Sequence, residues 1–426
     1  MKLAYGKKGI ELKLNPNWNT TIIQPMHQPV IKNPIKAIRD AIKNPLGSSS
    51  LESIIKSRKT IKSVCIVASD ATRPVPTHLI LEGLLKELKD YGIQEKSIRV
   101  LIATGLHRPS RNEELERILG EVFRSNVKVL NHIATDTKSL VTLRNNGLDG
   151  PVSINKYYYN SDLKILTGYV EPHFFFGFSG GNKSIVPGIA GVDTILANHS
   201  AENIASPYAR FGSYENNPLT IHSAKIAKKI CADFIVNVCI NKNHEITQIA
   251  AGDPELIHKR LIKYQNKYIF KEIQELFDIV VCGNGGYPLD FNLYQAVKSM
   301  AIGEMGLKEG GTIISVNECR EGVGVGQDKF KELIFSGKTP EEIYNKILKK
   351  EIIVPDQWEI QVLTRILMKS EVYIVSNMKE EEIGNIGLKY ADSVEIAINQ
   401  SLIKHGNDAN ILILPNGPQI LPLINI

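Results

Sequence analysis

The chain lacks the features that mark several specialised classes of protein. None of its five cysteines belongs to a CxxC pair, and neither HExxH nor a Cys/His zinc spacing occurs, which argues against a structural zinc site or a disulfide framework. Basic residues form no long run, and the net charge of +6 is spread thinly over the chain, so nucleic-acid binding is not indicated. The N-terminus has no apolar segment of the signal-peptide type, and no apolar stretch is long enough to span a bilayer. We therefore expect a cytoplasmic protein with buried, reduced thiols and with neither nucleic-acid nor membrane partners.

The rest of the composition is that of an ordinary globular protein with more than one domain. The chain has 426 residues, of which 43% are hydrophobic and 23% charged, so it can bury a large core and suits two or three domains. Short apolar runs at 63–68, 98–103, 126–130 and 163–167 alternate with helical patterns. One of these helical patterns opens with Ser110 and Glu113 in capping-box spacing. The alternation predicts an α/β fold with a mainly parallel sheet.

A second α/β pattern begins near residue 270. A strand over 277–282 is followed by a glycine-rich loop and a helix over 290–305, and later strands are predicted at 311–316, 372–375 and 411–414. We therefore predict two α/β domains with mainly parallel sheets, over residues 1–270 and 271–426, and an active-site cleft between them. The first domain is expected to carry the reactive residues and the second to close over the substrate. The prediction leaves open a return of the last strand to the first domain.

Polar side chains follow three of the predicted strands in the first domain. Asp70 and Arg73 come after the first strand, His107 after the second and His173 after a later one. In such sheets ligands bind beyond the carboxyl ends of the strands. We therefore expect these side chains to gather on one edge of the sheet.

The segment at 177–191, GFSGGNKSIVPGIAG, surrounds Lys183 with small residues. It does not match a P-loop, because Asn182 stands where that motif needs a glycine directly before the lysine. Its exposed backbone N–H groups could still hold a phosphate, with Lys183 projecting toward the ligand. On this segment alone, a glycine turn with a surface lysine is an equally good interpretation.

Three histidines favour a working site. His107 and His173 end predicted strands, and His199 lies beyond Lys183 in the sequence. A neutral imidazole can ligate nickel, copper or zinc, and two imidazoles can serve as base and acid on opposite faces of one substrate. A single histidine is more often structural, so the hypothesis depends on their convergence with the lysine.

The second domain offers a basic helix after its glycine-rich loop. Tyr294 and Lys298 share a predicted helix face, with Gln295 beside them. This arrangement suits an anionic substrate, although a routine polar helix surface explains it equally well. Trp358 is one of only two tryptophans, and core packing is its default explanation. The glycine cluster GVGVG at 322–326 is a weak dinucleotide signal, because the third glycine and the acidic residue of that fingerprint are missing.

Taken together, these motifs resemble the nickel-dependent lactate racemase family. The resemblance covers nearly the whole chain and is carried by SDATRP at 69–74, TGLHRP at 104–109, EPHFFFGFSGGNKSIVPG at 171–188, His199, and GGYPLDFNLYQAVK at 285–298. It implies an isomerase, a 2-hydroxyacid racemase or epimerase, that carries a nickel-pincer nucleotide. This cofactor is a pyridinium mononucleotide whose two thiocarbonyl-type groups hold nickel through two sulfurs and a ring carbon.

The resemblance also implies a role for each site residue. Lys183 matches the position joined to the cofactor through a thioamide, and His199 matches the remaining nickel ligand. The two acid/base histidines correspond to His107 and His173. The other matching positions line the cofactor site or contact the substrate, the former being Asp70, Tyr294 and Trp358 and the latter Arg73, Gln295 and Lys298.

The implied reaction is hydride transfer between C2 of a 2-hydroxyacid, lactate or a relative, and the cofactor, while one histidine takes the hydroxyl proton. The planar 2-ketoacid then receives the hydride on its other face. Enzymes that build the cofactor are implied partners. The substrate's side-chain pocket is not visible in the sequence, and the phenylalanines at 174–176 either shape it or belong to the core.

Two alternatives stay open. An NAD(P)-dependent 2-hydroxyacid dehydrogenase would need a dinucleotide fingerprint, which is absent. A non-catalytic accessory protein of the same fold would have lost one of the reactive residues, and none is lost.

Overall fold

The computed structural model describes residues 1–144, 147–148 and 150–424. The strands are β1 (Lys2–Leu3), β2 (Ile10–Glu11), β3 (Asn19–Ile22), β4 (Val64–Ser69), β5 (Ile98–Ala103), β6 (Lys128–Asn131), β7 (Leu140–Leu143), β8 (Val152–Asn155), β9 (Leu163–Tyr169), β10 (Pro172–His173), β11 (Gly177–Phe178), β12 (Phe234–Ile240), β13 (Ile246–Gly252), β14 (Phe270–Ile273), β15 (Phe277–Gly283), β16 (Leu307–Val316), β17 (Glu371–Val375), β18 (Lys389–Tyr390), β19 (Asn410–Leu414) and β20 (Leu421–Ile424). The α-helices are α1 (Pro34–Lys43), α2 (Leu51–Lys56), α3 (Thr77–Asp90), α4 (Asn112–Leu119), α5 (Lys156–Tyr159), α6 (Val192–Asn198), α7 (Ala201–Ala205), α8 (Pro218–Ile230), α9 (Pro254–Ile269), α10 (Leu293–Glu304), α11 (Asp328–Ile334), α12 (Pro340–Leu348), α13 (Gln357–Leu367) and α14 (Val394–His405).

Residues Gln28–Asn266 form one compact unit, called the central unit below. Its six-stranded sheet has the order β13-β12-β9-β4-β5-β6 and is parallel except for the antiparallel edge strand β13. The central strand β4, VCIVAS, is buried along nearly its whole length, as a parallel strand with both faces covered should be. This confirms the predicted mainly parallel α/β sheet.

Helices α1 and α3 cover part of this sheet with apolar side chains spaced for one helix face. Ile38 and Ile42 on α1 pack in the same core as Ile80 and Leu84 on α3, and all four are fully buried. α1 begins after Asn33, whose side chain accepts from the Lys36 backbone N–H, and has proline in its first turn. Its start therefore follows the usual capping chemistry.

The predicted capping box at the start of α4 is wrong by one residue. The Glu114 carboxylate, not that of Glu113, accepts from a backbone N–H ahead of the helix, that of Arg111 at 2.7 Å. The Ser110 backbone instead pairs with the Asn131 side chain at the end of β6, through bonds of 2.9 and 3.1 Å. A tertiary partner thus holds Ser110, and the helix starts after it.

Residues Met1–His27 and Lys267–Ile426 form the second unit, called the terminal unit. Its parallel six-stranded sheet has the order β18-β17-β16-β15-β19-β3. The division near residue 266 lies close to the predicted boundary, but residues 1–27 differ from the prediction because β3 pairs with β19. The last strands also stay in this unit, since β19 lies between β15 and β3 and β20 pairs with β14.

The expectation of buried thiols holds for four of the five cysteines. Cys65, Cys239, Cys282 and Cys319 are buried thiols, while Cys231 is exposed. Within the described residues, no helix combines the length and apolar character needed to cross a membrane.

Candidate functional site

Three adjacent strands of the central unit bring the predicted polar clusters to one edge. β9, β4 and β5 lie side by side and run parallel, so their carboxyl ends face the same way. Asp70 directly follows β4, His107 follows β5, and His173 follows β9 in the short strand β10. The prediction that these side chains gather at one edge of the sheet is confirmed.

Asp70 fixes the ring of His107. Its Oδ2 lies 2.7 Å from His107 Nδ1, and its Oδ1 accepts from the Thr72 hydroxyl at 2.6 Å and backbone N–H at 3.1 Å. Burial alone would raise the pKa of Asp70, but the charge and hydrogen bond of His107, with help from Arg73 and Thr72, lower it to about 2. Because the carboxylate is ionised and can only accept, His107 Nδ1 carries the hydrogen. In the neutral ring Nε2 is then the nitrogen without a hydrogen.

His173 has the opposite hydrogen bonding. The backbone N–H of Phe176 donates to its Nδ1 at 3.2 Å, so in the neutral ring the hydrogen sits on Nε2. The imidazole is buried against two neighbouring phenylalanines, with ring centroids 4.9 Å from Phe174 and 4.7 Å from Phe175. The site edge therefore holds one histidine oriented as acceptor at Nε2 and one oriented as donor there.

Lys183 lies in a tight turn that only glycine can build. Gly180 and Gly181 have φ of 78° and 55°, a region that other residues rarely adopt. A Cβ on Gly180 would lie 2.9 Å from Asn237 Oδ1, and one on Gly181 would lie 2.5 Å from His258 Nδ1. Close contact and backbone conformation therefore both require the glycine pair before Lys183.

Asn237 and His258 hold this turn in place, and the sequence analysis did not single out either of them. Asn237 Oδ1 accepts from Gly181 N at 3.0 Å, and His258 Nε2 lies 2.8 Å from the carbonyl oxygen of Ser179. Burial, and then the charge of Lys183, lowers the pKa of His258 to about 4, so the neutral ring donates through Nε2. Neither residue belongs to a recognisable motif, because each reaches the turn from a distant element, β12 or α9.

Lys183 and His199 meet around Phe176. Lys183 Nζ is buried and lies 5.0 Å from the Phe176 ring centroid, while the His199 ring lies 5.2 Å from Phe175 and 6.2 Å from Phe176. Burial and the Lys183 charge lower the pKa of His199 to about 3. The imidazole is therefore neutral at physiological pH, in the form that binds metals.

The phenylalanines at 174–176 are the packing base of the site. All three are buried, with exposed fractions of 2, 4 and 3%, and between them they contact His173, His199 and Lys183. Their burial supports the core-packing interpretation.

In the terminal unit, α10 and α13 carry the remaining predicted residues. Lys298 Nζ donates to Gln295 Oε1 on the same helix. The Trp358 indole N–H on α13 donates to the Tyr294 hydroxyl at 3.1 Å, and Tyr294, Gln295 and Trp358 are all buried. Tyr294 and Trp358 are therefore brought together, and Lys298 pairs with Gln295.

The glycine cluster at 322–326 caps α10. The backbone N–H groups of Leu293 and Tyr294 donate to the carbonyls of Gly322 and Val323, at 2.9 and 3.1 Å. The N-cap residue Asn292 accepts from Gln295 N at 2.9 Å. The helix N-terminus is thus satisfied by the chain itself, which explains the cluster without a dinucleotide.

A buried polar network lies under the same helix. The side chain of Asn317, which follows β16, donates to the hydroxyls of Ser299 and Ser315, both at 2.9 Å, and accepts from Asn284 N at 3.0 Å. Asn284 Nδ2 in turn donates to the carbonyl oxygen of Gln295 at 3.1 Å. These side chains tie the position of α10 to the ends of β15 and β16.

Comparisons with known proteins decide the family. Residues 5–212 match the family model described as "Lactate racemase N-terminal domain". Residues 273–421 match the one described as "Lactate racemase C-terminal domain". Proteins named lactate racemase from Thermoanaerobacterium thermosaccharolyticum and Lactiplantibacillus plantarum are 36% identical over 387 residues and 37% identical over 392 residues. Each alignment covers 90% of this chain and 89% of the relative. The chain belongs to the lactate racemase family. It is accordingly an isomerase of the racemase type.

Solved structures agree with membership of the lactate racemase family. The lactate racemase apoprotein from Thermoanaerobacterium thermosaccharolyticum superposes with a TM-score of 0.90 at 34% identity, covering 99% of both chains. A protein from Thermotoga maritima gives a TM-score of 0.71 at 20% identity, over 94% of this chain and 100% of that one, and so shares the fold. The fold expected from the resemblance, with two α/β domains, is therefore confirmed.

Proposed function

We propose that the protein interconverts the enantiomers of a 2-hydroxyacid, lactate or a relative, at C2. In this proposal hydride passes between C2 and a nickel-pincer nucleotide tethered at Lys183, while His107 and His173 exchange the hydroxyl proton. The observation that carries it is the pairing of His107 Nδ1 with the Asp70 carboxylate, which leaves His107 Nε2 free to take a proton. His173, whose Nδ1 accepts from a backbone N–H, would donate a hydrogen bond from Nε2 in its neutral form and a proton only from its imidazolium form.

The residues around Lys183 fit such a cofactor. A neutral, buried imidazole at His199 is a suitable nitrogen ligand for nickel. In the described ranges 1–144, 147–148 and 150–424, no three His, Cys, Asp or Glu side chains are grouped so that they could hold a metal ion by themselves. Nickel at His199 would therefore take its other ligands from outside the polypeptide, as a pincer nucleotide would provide. When bound, the cofactor would supply the acceptor and donor of hydride.

The chain itself would manage the proton. The Asp70 carboxylate stabilises the charged form of His107 after its Nε2 takes the hydroxyl proton. Protonation of His173 at Nδ1 would break the bond from Phe176, so this bond would have to open whenever His173 becomes charged.

Positive side chains would neutralise the substrate carboxylate. Arg73 Nη1 is anchored by the hydroxyl and carbonyl oxygens of Thr72, at 3.0 and 3.3 Å, in the same loop as Asp70. In the terminal unit, Lys298 bonds Gln295. Both cations suit an anionic 2-hydroxyacid. Their substrate contacts, the cofactor contacts of Tyr294 and Trp358 and the expected interdomain cleft stay predictions.

The alternatives are weaker. A dinucleotide-dependent dehydrogenase loses its one supporting signal, because the glycine cluster at 322–326 caps α10. A non-catalytic accessory role gains no support, because every residue matched to a reactive position is present. Enzymes that build and load the cofactor are proposed as the partners of the apoprotein.

The proposal is tested on protein purified from its native host. Elemental analysis should find nickel, and intact-mass and peptide analysis should find a covalent adduct on Lys183. Chiral chromatography should show racemisation of one or more 2-hydroxyacids, lactate first. Nickel-loaded protein that racemises none of them would contradict the reaction, and full activity without nickel or adduct would contradict the cofactor.

A further inference from the structure

Helix α9 buries two polar side chains on the same face. Gln265 is fully buried and His258 has an exposed fraction of 5%, and the two lie about two helical turns apart along α9. The apolar side chains of Leu261, Ile262 and Ile269 are buried beside them. A buried polar group costs free energy unless it is hydrogen-bonded, so both side chains need partners outside the helix.

Their partners are two backbone carbonyls at the base of one β-hairpin. Gln265 Nε2 donates to the carbonyl oxygen of Val170, directly after β9, at 2.6 Å. His258 Nε2 lies 2.8 Å from the carbonyl oxygen of Ser179, directly after β11. Between these two points the chain forms the antiparallel hairpin of β10 and β11. Helix α9 therefore holds the hairpin at both sides of its base.

Ser179 closes the same base from within. Its N–H donates to the carbonyl oxygen of Glu171 at 2.8 Å. Its hydroxyl accepts from Glu171 N and donates to the carbonyl oxygen of Tyr169, both at 3.0 Å. His173 follows one side of this base in β10, and Lys183 follows the other side in the glycine turn. The proposed acid/base and the proposed tether thus both extend from one fixed base.

Gln265 differs from its buried neighbours on α9 because it carries an amide. Its Nε2 binds Val170, but its Oε1 has no hydrogen-bond partner among the described residues. An unpaired buried acceptor is destabilising, and an apolar side chain of similar size would avoid that cost. Glutamine therefore fixes Val170 at a cost to the stability of the fold, and such costs are typical of functional sites.

We propose that Gln265 is a positioning residue for His173, and that with His258 it forms a clamp from α9 that fixes the hairpin base. The inference rests on the proposed function, in which His173 exchanges the hydroxyl proton and Lys183 carries the cofactor. Proton transfer needs its partners within hydrogen-bond reach. A hairpin that shifts at its base would therefore slow the exchange at His173 without removing either reactive group.

Amide hydrogen exchange of the apoprotein tests the clamp. Gln265→Met keeps the approximate volume of the side chain and removes the donor to Val170. Exchange of the Glu171 and Ser179 amides should then accelerate on the order of fivefold, as expected for an opening equilibrium that loses one hydrogen bond. Leu261→Met is the matched control, because it replaces a buried side chain of the same face by one of similar size and removes no hydrogen bond.

Chemical modification of the apoprotein tests the link to the site. Diethyl pyrocarbonate modifies accessible imidazoles, and peptide mass analysis measures each histidine separately. In Gln265→Met the rate at His173 should rise several-fold, while the rate at His107 should stay as in the parent, because Asp70 holds that ring in another loop. In the loaded enzyme the same variant should keep the adduct on Lys183 and lose kcat several-fold, with KM changed less.

His258→Gln keeps the inference testable if Gln265→Met does not fold. It loosens the other side of the clamp, so exchange of the Glu171 and Ser179 amides should rise in this variant as well. Unchanged exchange of both amides in His258→Gln would count against the clamp.

Two further results would overturn the inference. The first is a folded Gln265→Met protein in which the Glu171 and Ser179 amides exchange, and His173 reacts, as in the parent. The second is a Leu261→Met protein with the same changes as Gln265→Met, which would mean that any repacking of α9 opens the hairpin. Failure of the proposed function would appear separately, as a wild-type protein without racemase activity whose variants still change in exchange and modification as expected.

Discussion

The central unit and the terminal unit both end parallel strands in polar loops, but they hold their site residues by different means. In the central unit most of the residues proposed to react sit in loops, and contacts to the loop backbone or to a neighbouring carboxylate fix them, as at Gly181 against Asn237 and at His107 against Asp70. In the terminal unit the predicted site residues sit on helices, and hydrogen bonds between buried side chains fix them, as between Trp358 and Tyr294.

This difference suggests a division of labour. Loops at strand ends place an atom tightly and tolerate no added side chain, which suits a covalent tether and proton exchange. Helices tied by hydrogen-bond networks keep a surface in one orientation, which suits binding of the cofactor and the substrate. The central unit is therefore expected to carry the chemistry and the terminal unit the orientation.

Lys183→Ala should give the largest effect. The variant should carry no covalent adduct and should lose racemisation completely, because Lys183 is the amine placed in the glycine turn. Intact-mass analysis and chiral chromatography measure both. Lys298→Ala, in the terminal unit, is the comparison, and it should keep the adduct while its KM rises. Equal loss of adduct in both variants would contradict the proposed division of roles between the two units.

His107→Ala should lower kcat by on the order of a hundredfold or more, the usual weight of general acid–base catalysis. Asp70→Asn should cost less, because it removes the charge beside the His107 ring but leaves the ring itself in place. Rates in both directions should fall together, because a variant cannot change the equilibrium between enantiomers. A smaller loss in His107→Ala than in Asp70→Asn would mean that His107 is not the proton acceptor.

His258→Gln should give a smaller, partial effect that is specific to the tether. The glutamine amide can still donate toward Ser179, but it lacks the rigid ring that walls the Gly181 contact, so the turn is held less firmly. Labelling of Lys183 in the apoprotein by an amine-reactive reagent, followed by peptide mass analysis, should therefore change in rate while the fold persists. His132→Gln is the matched control, since His132 is equally buried but bonds the carbonyl oxygen of Ala190. An unchanged Lys183 labelling rate in His258→Gln would show that His258 is only structural.

The smallest expected effect is a difference between the two units in how their stability changes with pH. Burial lowers the pKa of His132 and of His258 to about 4, so the unfolded chain binds more protons than the native state between about pH 6.5 and 4. The central unit should thus lose roughly 1.4 kcal/mol per pH unit for each of these histidines as the pH falls. In the terminal unit, Asp356 acts in the opposite direction. Because burial raises its pKa to about 7, the native state binds more protons than the unfolded chain between about pH 4 and 7, so its contribution to the free energy of unfolding falls as the pH rises.

Hydrogen-exchange mass spectrometry at pH 7 and pH 5, corrected for intrinsic exchange rates, measures this comparison. Peptides of the central unit should lose more protection at pH 5 than peptides around α10 and α13. Equal loss of protection in both units would show that these pKa shifts do not make the two units respond differently to pH.

Much of the site in the central unit could be predicted from sequence, because each of its residues is recognisable from its immediate sequence neighbours. Asp70, His107 and His173 each follow a strand that the apolar pattern reveals, and the parallel sheet places strand ends together. Lys183 was recognisable from its own glycine neighbours. The roles of Asn237 and His258 could not be predicted, because each depends on contact with a segment far away in the sequence.

The same limit explains the differences in the fold. Strand β3 joins the terminal unit by pairing with β19, and nothing in the sequence near residue 20 specifies that partner. The position of Ser110 was set by Asn131 and not by the capping pattern. Local patterns therefore predict elements and strand-end sites, whereas long-range hydrogen bonds decide which unit a segment joins and which side chains support the site.

The proposed use of His107 and His173 as the two proton-exchanging groups is the central claim, and single-turnover experiments test it most directly. Cofactor-loaded His107→Ala and His173→Ala proteins are each mixed with each pure enantiomer of the substrate, and the absorbance of the cofactor is followed. If the two histidines serve opposite faces of the substrate, each variant should still react with one enantiomer and stall, and the two variants should prefer opposite enantiomers. The same preference in both variants, or full racemisation by either one, would contradict it.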